Sequence, residues 1–418
     1  MTIIYRCLLD YVYRKYAHPI FEYVGLTYEW NIVKLLISWV LLLICFPTMK
    51  KCVARAKFSH TIMLFLLFLA YIPYTTMAAF FGYEYGFIAV CSAYWLWFFL
   101  LFNYLPDTEG TFSLSVNSDL ILSVIEGIFA VTILFISWRY TGFRFTIGLS
   151  DVYSYRAEAK MASMPTALSY VFAASKAVNP IILVYFLHKR KLVTTGLVAI
   201  VQILSFSVNG SKTVLLSTVC AVVFYFIYNE RILKKIPVLM SGLSLLTWLE
   251  TAILGSNLLL AYIVRRVLFV PNQLGAYYYD FFSKNPPDYY KQGFLRLFGA
   301  QSQYSTPIDN IIGANYFGKP NMGANSGLIS DALANFGLAG VIIMPLILVI
   351  ILRLLDKCAE GVDKRLYIST SIIIAFIFIS SFLPTVLLTH GMIALGLVLM
   401  IIPRSANNPE SEILELWE

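Results

Sequence analysis

Apolar residues run through this chain in long, nearly unbroken stretches, and polar positions gather between them. Stretches of this length meet the roughly 20 helical residues that a bilayer core demands. They predict helices over 30–47, 60–80, 86–104, 119–138, 167–187, 192–208, 211–228, 237–256, 327–352, 366–383 and 385–402. Lipid offers no partner to an open backbone, so such runs are helices rather than isolated strands. Many end at turn formers or charge: Pro47 with Lys50 and Lys51, Pro106 with Asp107, Gly210 before Ser211. The pattern predicts an all-α polytopic integral membrane protein of about 11 spans, within a range of about 10–12. It forms one membrane domain over 1–418, with two long connections, 139–166 and 257–326, the second partly helical.

Composition agrees. The chain is 59% hydrophobic and 13% charged, where soluble domains are about 45–50% apolar and about 25% charged. Mean hydropathy is +0.75. The net charge of +8 is spread over short clusters beside hydrophobic runs, with no basic domain, so nucleic acid is not an expected partner. The six cysteines are scattered and absent from both long connections, which predicts no disulfide framework. The four histidines lie far apart, and no CxxC, HExxH, Walker or GxGxxG pattern occurs. No metal site and no cofactor are expected. Arg6, Asp10, Arg14, Lys15 and Glu22 interrupt the first 29 residues, so no cleavable signal peptide is expected there. This segment reads either as an interfacial amphipathic helix or as one further span.

Charge then sets orientation. Lys50, Lys51, Arg55 and Lys57 follow the first span, and Lys189, Arg190 and Lys191 the fifth. Arg231, Lys234 and Lys235 follow the seventh, and Lys357, Lys364 and Arg365 the ninth. All fall on one side, which the positive-inside rule makes cytoplasmic. Both long connections are then extracytoplasmic. ATP and nucleotide sugars are absent there, so any substrate must arrive already activated, as on a lipid.

The 257–326 connection carries Arg265, Arg266, Lys284, Lys291, Arg296 and Lys319 against Asp280, Asp288 and Asp309. It is rich in rings: Tyr277, Tyr278, Tyr279, Phe281, Phe282, Tyr289, Tyr290 and Phe294. Tyrosine suits a sugar surface and equally an interfacial belt. Guanidinium groups match phosphate oxygens, so Arg265 and Arg266 are candidate ligands for a lipid-linked pyrophosphate; the alternative is snorkelling to headgroups. Arg139, Arg144 and Arg156 precede the fifth span, and Lys176 lies within it. Lys212 opens the seventh, where free N–H groups favour an anion. Its "GSKT" is only the tail of a Walker pattern. Glu250, Asp331 and His390 fall near outer ends of spans, as proton acceptors or as structural partners of nearby groups. Asn209-Gly210-Ser211 reads as a tight turn, and Gly337 with Gly340 as a close helix contact.

Four stretches resemble the O-antigen polymerases, the Wzy-type oligosaccharide repeat-unit polymerases. "VYSYRAEAKMASMPTALSYVFAASKAVNPIILVYFLHKRK" (152–191) is similar to the region of their large central spans. "NGSKTVLLS" (209–217) resembles a helix start where arginine is common; Lys212 keeps the charge and loses the fork. "RRVLFVPNQLGAYYYDFFSKNP" (265–286) and "SGLISDALANFGLAGVIIMPLILVIILRLLDK" (326–357) resemble the long periplasmic loop and the span after it. The resemblance covers the second half of the chain and the overall topology.

It implies a multi-pass enzyme of the bacterial inner membrane, with its active face periplasmic. This glycosyltransferase would join undecaprenyl-pyrophosphate-linked oligosaccharides in O-antigen or related surface polysaccharide biosynthesis, without a metal. Membrane lipid and a chain-length regulator, a polysaccharide co-polymerase, are the implied partners. Residue by residue, it points to Arg156, Lys212, Arg265, Arg266 and Asp331. The expected scheme has Arg265 and Arg266 as a pyrophosphate clamp, with Arg156, Lys176, Lys212, Arg296, Arg139 and Tyr278 on the substrate. Asp280, Glu250, Asp331 or His390 takes the acceptor's proton. Two alternatives stand beside it: an O-antigen ligase-like glycan transferase, and a polysaccharide or lipid transporter or flippase. A transporter is expected to carry internal repeats and broken midplane helices; no clear repeat is visible.

Overall fold

The computed structural model describes residues 1–107, 110–143, 164–209, 212–229 and 231–404. Most of those residues are helical, with no strand among them. Among the described residues, seven helices are long and apolar enough to cross a membrane: Ile32–Arg55, Phe58–Phe80, Tyr85–Tyr104, Ser118–Thr141, Ala167–His188, Ile232–Leu254 and Ile329–Ala359. Shorter apolar helices cover Leu192–Val208, Ser217–Ile227 and Met392–Ile401. Such a chain is embedded in a membrane.

Local chemistry explains the boundaries. Asn31 caps the first long helix, its side chain accepting from the N–H groups of Val33 (2.9 Å) and Lys34 (3.2 Å). Pro47 does not end it, because it falls in the opening turn of Phe46–Arg55, where a missing N–H costs nothing. The run after 326 breaks at Gly337, whose φ of +58° is left-handed, and resumes at Gly340. A Cβ on Gly340 would collide with the carbonyl of Ala332.

The chain forms two compact units, each drawn from separated stretches. The first comprises Met1–Asp107, Asn229–Leu352 and Ile374–Pro384. Its centre is Phe58–Phe80, almost wholly buried. Buried tyrosines around it end on backbone carbonyls: Tyr5 on Phe68 (2.9 Å), Tyr71 on Leu41 (2.7 Å), Tyr74 on Ile88 (3.0 Å). Each ring adds apolar burial, and each bonded hydroxyl avoids the penalty of an unpaired one. Phe68 sits in a π turn, Leu67–Tyr71, where the widened ladder suits a carbonyl that receives a side chain.

The N-terminal segment is a packed helix of this unit. Thr2–Val12 continues through the π turn Tyr13–Ala17 into His18–Phe21. It lies against Ile232–Leu249 and Ile72–Phe80. Arg6 points inward and is fully buried. Its guanidinium pairs with Asp10 at 2.6 Å and donates to Thr75 Oγ1 (2.9 Å) and Ser38 Oγ (3.0 Å).

The second unit comprises Thr108–Tyr228, Arg353–Ile373 and Thr385–Glu418. Its helices Ser118–Thr141, Thr166–His188 and Leu192–Asn209 pack around Ile133, Ile136, Phe172, Val201 and Val208. The segment before Ser118 is pinned by Leu114 N–H to Met400 O (2.8 Å) and Arg404 to Phe112 O (2.6 Å).

Candidate functional site

The connection between Ile232–Leu254 and Ile329–Ala359 is a built structure. A π turn Leu260–Phe269 leads into the helix Val270–Phe282, then the 3-10 turn Phe294–Phe298 and the helix Ile308–Phe317. Gln273, Tyr277, Asp280 and Lys284 follow helical spacing, so they share one face. Tyr277 stacks on Tyr316 with centroids 4.5 Å apart and planes 5° off parallel. Tyr316 donates to Asp280 at 2.6 Å, and Lys284 pairs with the same carboxylate at 2.5 Å. Lys284 first, and Tyr316 after it, hold the Asp280 carboxyl below its ordinary range.

The stretch after it is fixed from beneath. Asp288 is buried; it accepts from Gln292 N–H (2.8 Å) and from the Ser302 hydroxyl. The Gln292 side chain bonds the carbonyls of Tyr304 (3.0 Å) and Thr306 (2.7 Å) and accepts from Ile308 N–H (3.0 Å). Tyr289 and Tyr290 are both left-handed, at φ +56° and +58°. That conformation is unfavourable without glycine and persists only where surroundings enforce it. Here Asn335 accepts from Tyr290 N–H (2.8 Å), and Asp331 accepts from the Tyr290 hydroxyl (2.9 Å). The result is a rigid base beneath exposed Tyr289, Phe294, Phe298 and Arg296, with Lys291 beside the Tyr289 ring at 5.7 Å.

Asp331 is therefore held on all sides. Besides Tyr290 it accepts from Asn335 Nδ2 (2.8 Å) and Leu383 N–H (2.6 Å), and it is 2% exposed. Glu250 is similarly occupied, accepting from Ser256 (2.7 Å), Leu258 N–H (3.0 Å) and Leu259 N–H (2.8 Å), which caps the turn that follows. The Asp280 side chain is 40% exposed. Tyr278 is buried, its hydroxyl on Ala324 O at 3.2 Å.

Arg265 and Arg266 sit on adjacent faces. Arg265 is half-buried, its guanidinium 4.7 Å from the Phe21 ring centroid, and its Nε has no hydrogen-bond partner. Arg266 is exposed. Among the described residues, Arg265, Arg266, Lys291 and Arg296 have no acidic partner.

The sequence-selected residues divide between the units. Arg265, Arg266, Glu250, Asp280, Tyr278, Arg296 and Asp331 belong to the first; Arg139, Lys176, Lys212 and His390 to the second. Arg139 is exposed in the last turn of its helix, over the Tyr140 ring at 5.5 Å. Lys176 places its ammonium 3.8 Å from the Phe172 ring centroid. Lys212 opens the helix Lys212–Ile227. His390 follows the π turn Thr385–Thr389, its N–H on Thr385 O at 2.7 Å. Arg156, with Arg144, lies outside the described residues. A cavity of about 550 Å³ in the second unit is lined by 113–119 with Tyr185, Lys189 and Arg404, and by none of the selected residues.

Sequence reasoning missed the inward Arg6–Asp10 pair, the support from Tyr290 and Asn335, and Glu126. Only Glu126 carried a local signal, as a lone charge in an apolar run. Compared with protein-family models, curated proteins and solved structures, the chain matches none.

Proposed function

We propose that this protein polymerises polyprenyl-pyrophosphate-linked oligosaccharide repeat units at the extracytoplasmic face of a bacterial inner membrane. One observation carries the reading. Within one unit, cations without acidic partners, Arg265, Arg266, Lys291 and Arg296, accompany exposed rings on the same connection. A lipid-linked glycan presents matching chemistry: a diphosphate for the cations, sugar faces for the rings and an apolar tail for the bilayer.

In the proposed reaction a sugar hydroxyl of the incoming unit attacks the anomeric carbon of the growing glycan. A new C–O bond forms there, and the bond from that carbon to the pyrophosphate oxygen breaks. The electron pair stays on the leaving lipid pyrophosphate, where Arg265 and Arg266 stabilise it. The hydroxyl proton goes to a carboxylate. Asp280, Glu250 and Asp331 are the candidate carboxylates of this unit, and each already accepts from structural donors.

The test is polymerisation by purified protein supplied with lipid-linked repeat units. Arg265→Ala and Arg266→Ala are expected to slow chain growth by about 10²–10³. Full activity in both variants, or activity abolished by chelation, overturns the reading. Transfer to a non-identical acceptor in place of polymer growth supports a ligase instead.

A further inference from the structure

The second unit holds an acidic side chain that the proposed reaction does not use. Glu126 lies within Ser118–Thr141, a helix long and apolar enough to cross a membrane, and is 6% exposed. Its Oε1 has no hydrogen-bond partner. Its Oε2 lies 3.1 Å from the side-chain amide of Asn179, and the same amide atom lies 3.2 Å from the Ser175 carbonyl. Both neighbours are acceptors, so that position belongs to the amide nitrogen, which donates to each. Asn179 is itself fully buried, and it serves only one carboxylate oxygen. Pro180 follows inside the helix and has no N–H, so the Lys176 carbonyl loses its intrahelical donor in the same turn.

No charge among the packed helices balances Glu126. Ser118–Thr141 lies against Leu192–Asn209, Thr166–His188 and Met392–Ile401. The first and last of these carry no titratable side chain. On Thr166–His188, Lys176 turns over Phe172 at 3.8 Å, Tyr185 donates to Asp119 at 2.5 Å, His188 meets Tyr225 at 3.2 Å, and Tyr170 is exposed. His390, just before Met392–Ile401, is in electrostatic range of Lys176. On its own helix, Asp119 pairs with Lys191 at 2.8 Å, Arg139 lies over the Tyr140 ring, and Tyr140 packs on the apolar cluster. A carboxylate in an apolar bundle with one oxygen unserved is costly unless a positive charge joins it.

We propose that Glu126 and Asn179 form a binding site for a small monovalent cation, a proton or an alkali ion, inside the helix bundle of the second unit. Asn179 orients the carboxylate through Oε2, and the cation sits at Oε1. The site is independent of the glycan chemistry proposed for the other unit.

Dicyclohexylcarbodiimide tests it, because this apolar reagent reaches carboxyls inside membranes and adds to the protonated acid. Purified full-length protein is treated across a pH series, in sodium chloride or in choline chloride at equal ionic strength. The adduct on the peptide containing residue 126 is then quantified by mass spectrometry. The expected result is an adduct on Glu126 that is lost in Glu126→Gln. A rate that rises on acidification and ignores sodium assigns a proton; a rate that sodium slows relative to choline assigns an alkali ion. Failure of Glu126 to react at any pH without sodium overturns the proposal, as does a rate that neither pH nor sodium changes. Asn179→Ala is expected to shift the pH or sodium midpoint, and an unmoved midpoint removes Asn179 from the site. The wild-type series alone decides the proposal if Glu126→Gln fails to fold.

Discussion

The hydroxyl of Tyr290 donates to the carboxylate of Asp331 at 2.9 Å, joining positions 41 residues apart. This bond ties the strained turn at Tyr289 and Tyr290 to the first turn of Ile329–Phe336. Tyr290→Phe is expected to cost about 1 kcal/mol, the net worth of one such bond. Asp331→Ala strands three donors and is expected to cost about 3 kcal/mol or more. Thermal unfolding in detergent measures both. Trypsin gives a local readout, since Lys291 and Arg296 should be cut faster in either variant. Unchanged cleavage would mean that Asp331 does not hold this turn.

Arg6 presents a second case. Arg6→Met leaves Asp10 buried without its cation and is expected to destabilise the protein by about 3–5 kcal/mol. Adding Asp10→Leu should recover most of that loss, because the paired charges are removed together. A double variant as weak as the single one would show that Ser38 and Thr75, rather than Asp10, set the requirement. Melting curves of the three proteins make the comparison.

Asp280 and Lys284 give a pH dependence with two edges. Asp280 is depressed in the folded state, so its contribution is present above the ordinary carboxylate pKa, about 3.9, and fades as pH falls through the lowered value. Lys284 is raised, chiefly by its bond to Asp280, so its contribution is present below about 10.4 and fades as pH rises through the higher value. The pair is exposed, so solvent screens it and both edges should be shallow. Lys284→Met should flatten the acidic edge in a series of melting temperatures. An edge of the same depth in that variant would transfer the effect to Tyr316.

The orientation behind the proposed reaction is tested by labelling. Ser283 is exposed, and Ser283→Cys in a Cys7→Ala background offers a reporter on the 257–326 connection. A membrane-impermeant maleimide should label it in intact spheroplasts. Labelling that requires permeabilisation would put the connection, and the chemistry proposed for it, on the wrong side.

Much of the architecture was legible because hydropathy is a local property. Among the described residues each apolar run from 30 onward contains helix, seven helices are long and apolar enough to cross a membrane, and ends such as Asn31 and Gly337 follow cap and turn chemistry. Connections across distance were not legible. Nothing near Asp331 announces that Tyr290 and Leu383 will reach it, and a charge-rich N-terminus reads as a surface until Ser38 and Thr75 are seen beside Arg6. The division into two units from interleaved stretches likewise leaves no mark on a hydropathy profile. Arg265 and Arg266 were selected for charge in apolar surroundings, but only the fold reveals that Phe21, from the opposite end of the sequence, stands beneath one of them.

The helix Thr2–Val12 leaves the ribosome about 220 residues before its principal neighbour, Ile232–Leu249. Until that later helix has been translated and inserted, one flank of the newborn segment stays uncovered. Arg6 and Asp10 are spared a long wait, because Ser38 and Thr75 arrive early enough to shelter them. A chain halted before residue 232 would thus keep its inner charges quiet while baring an unfinished seam to quality-control proteases.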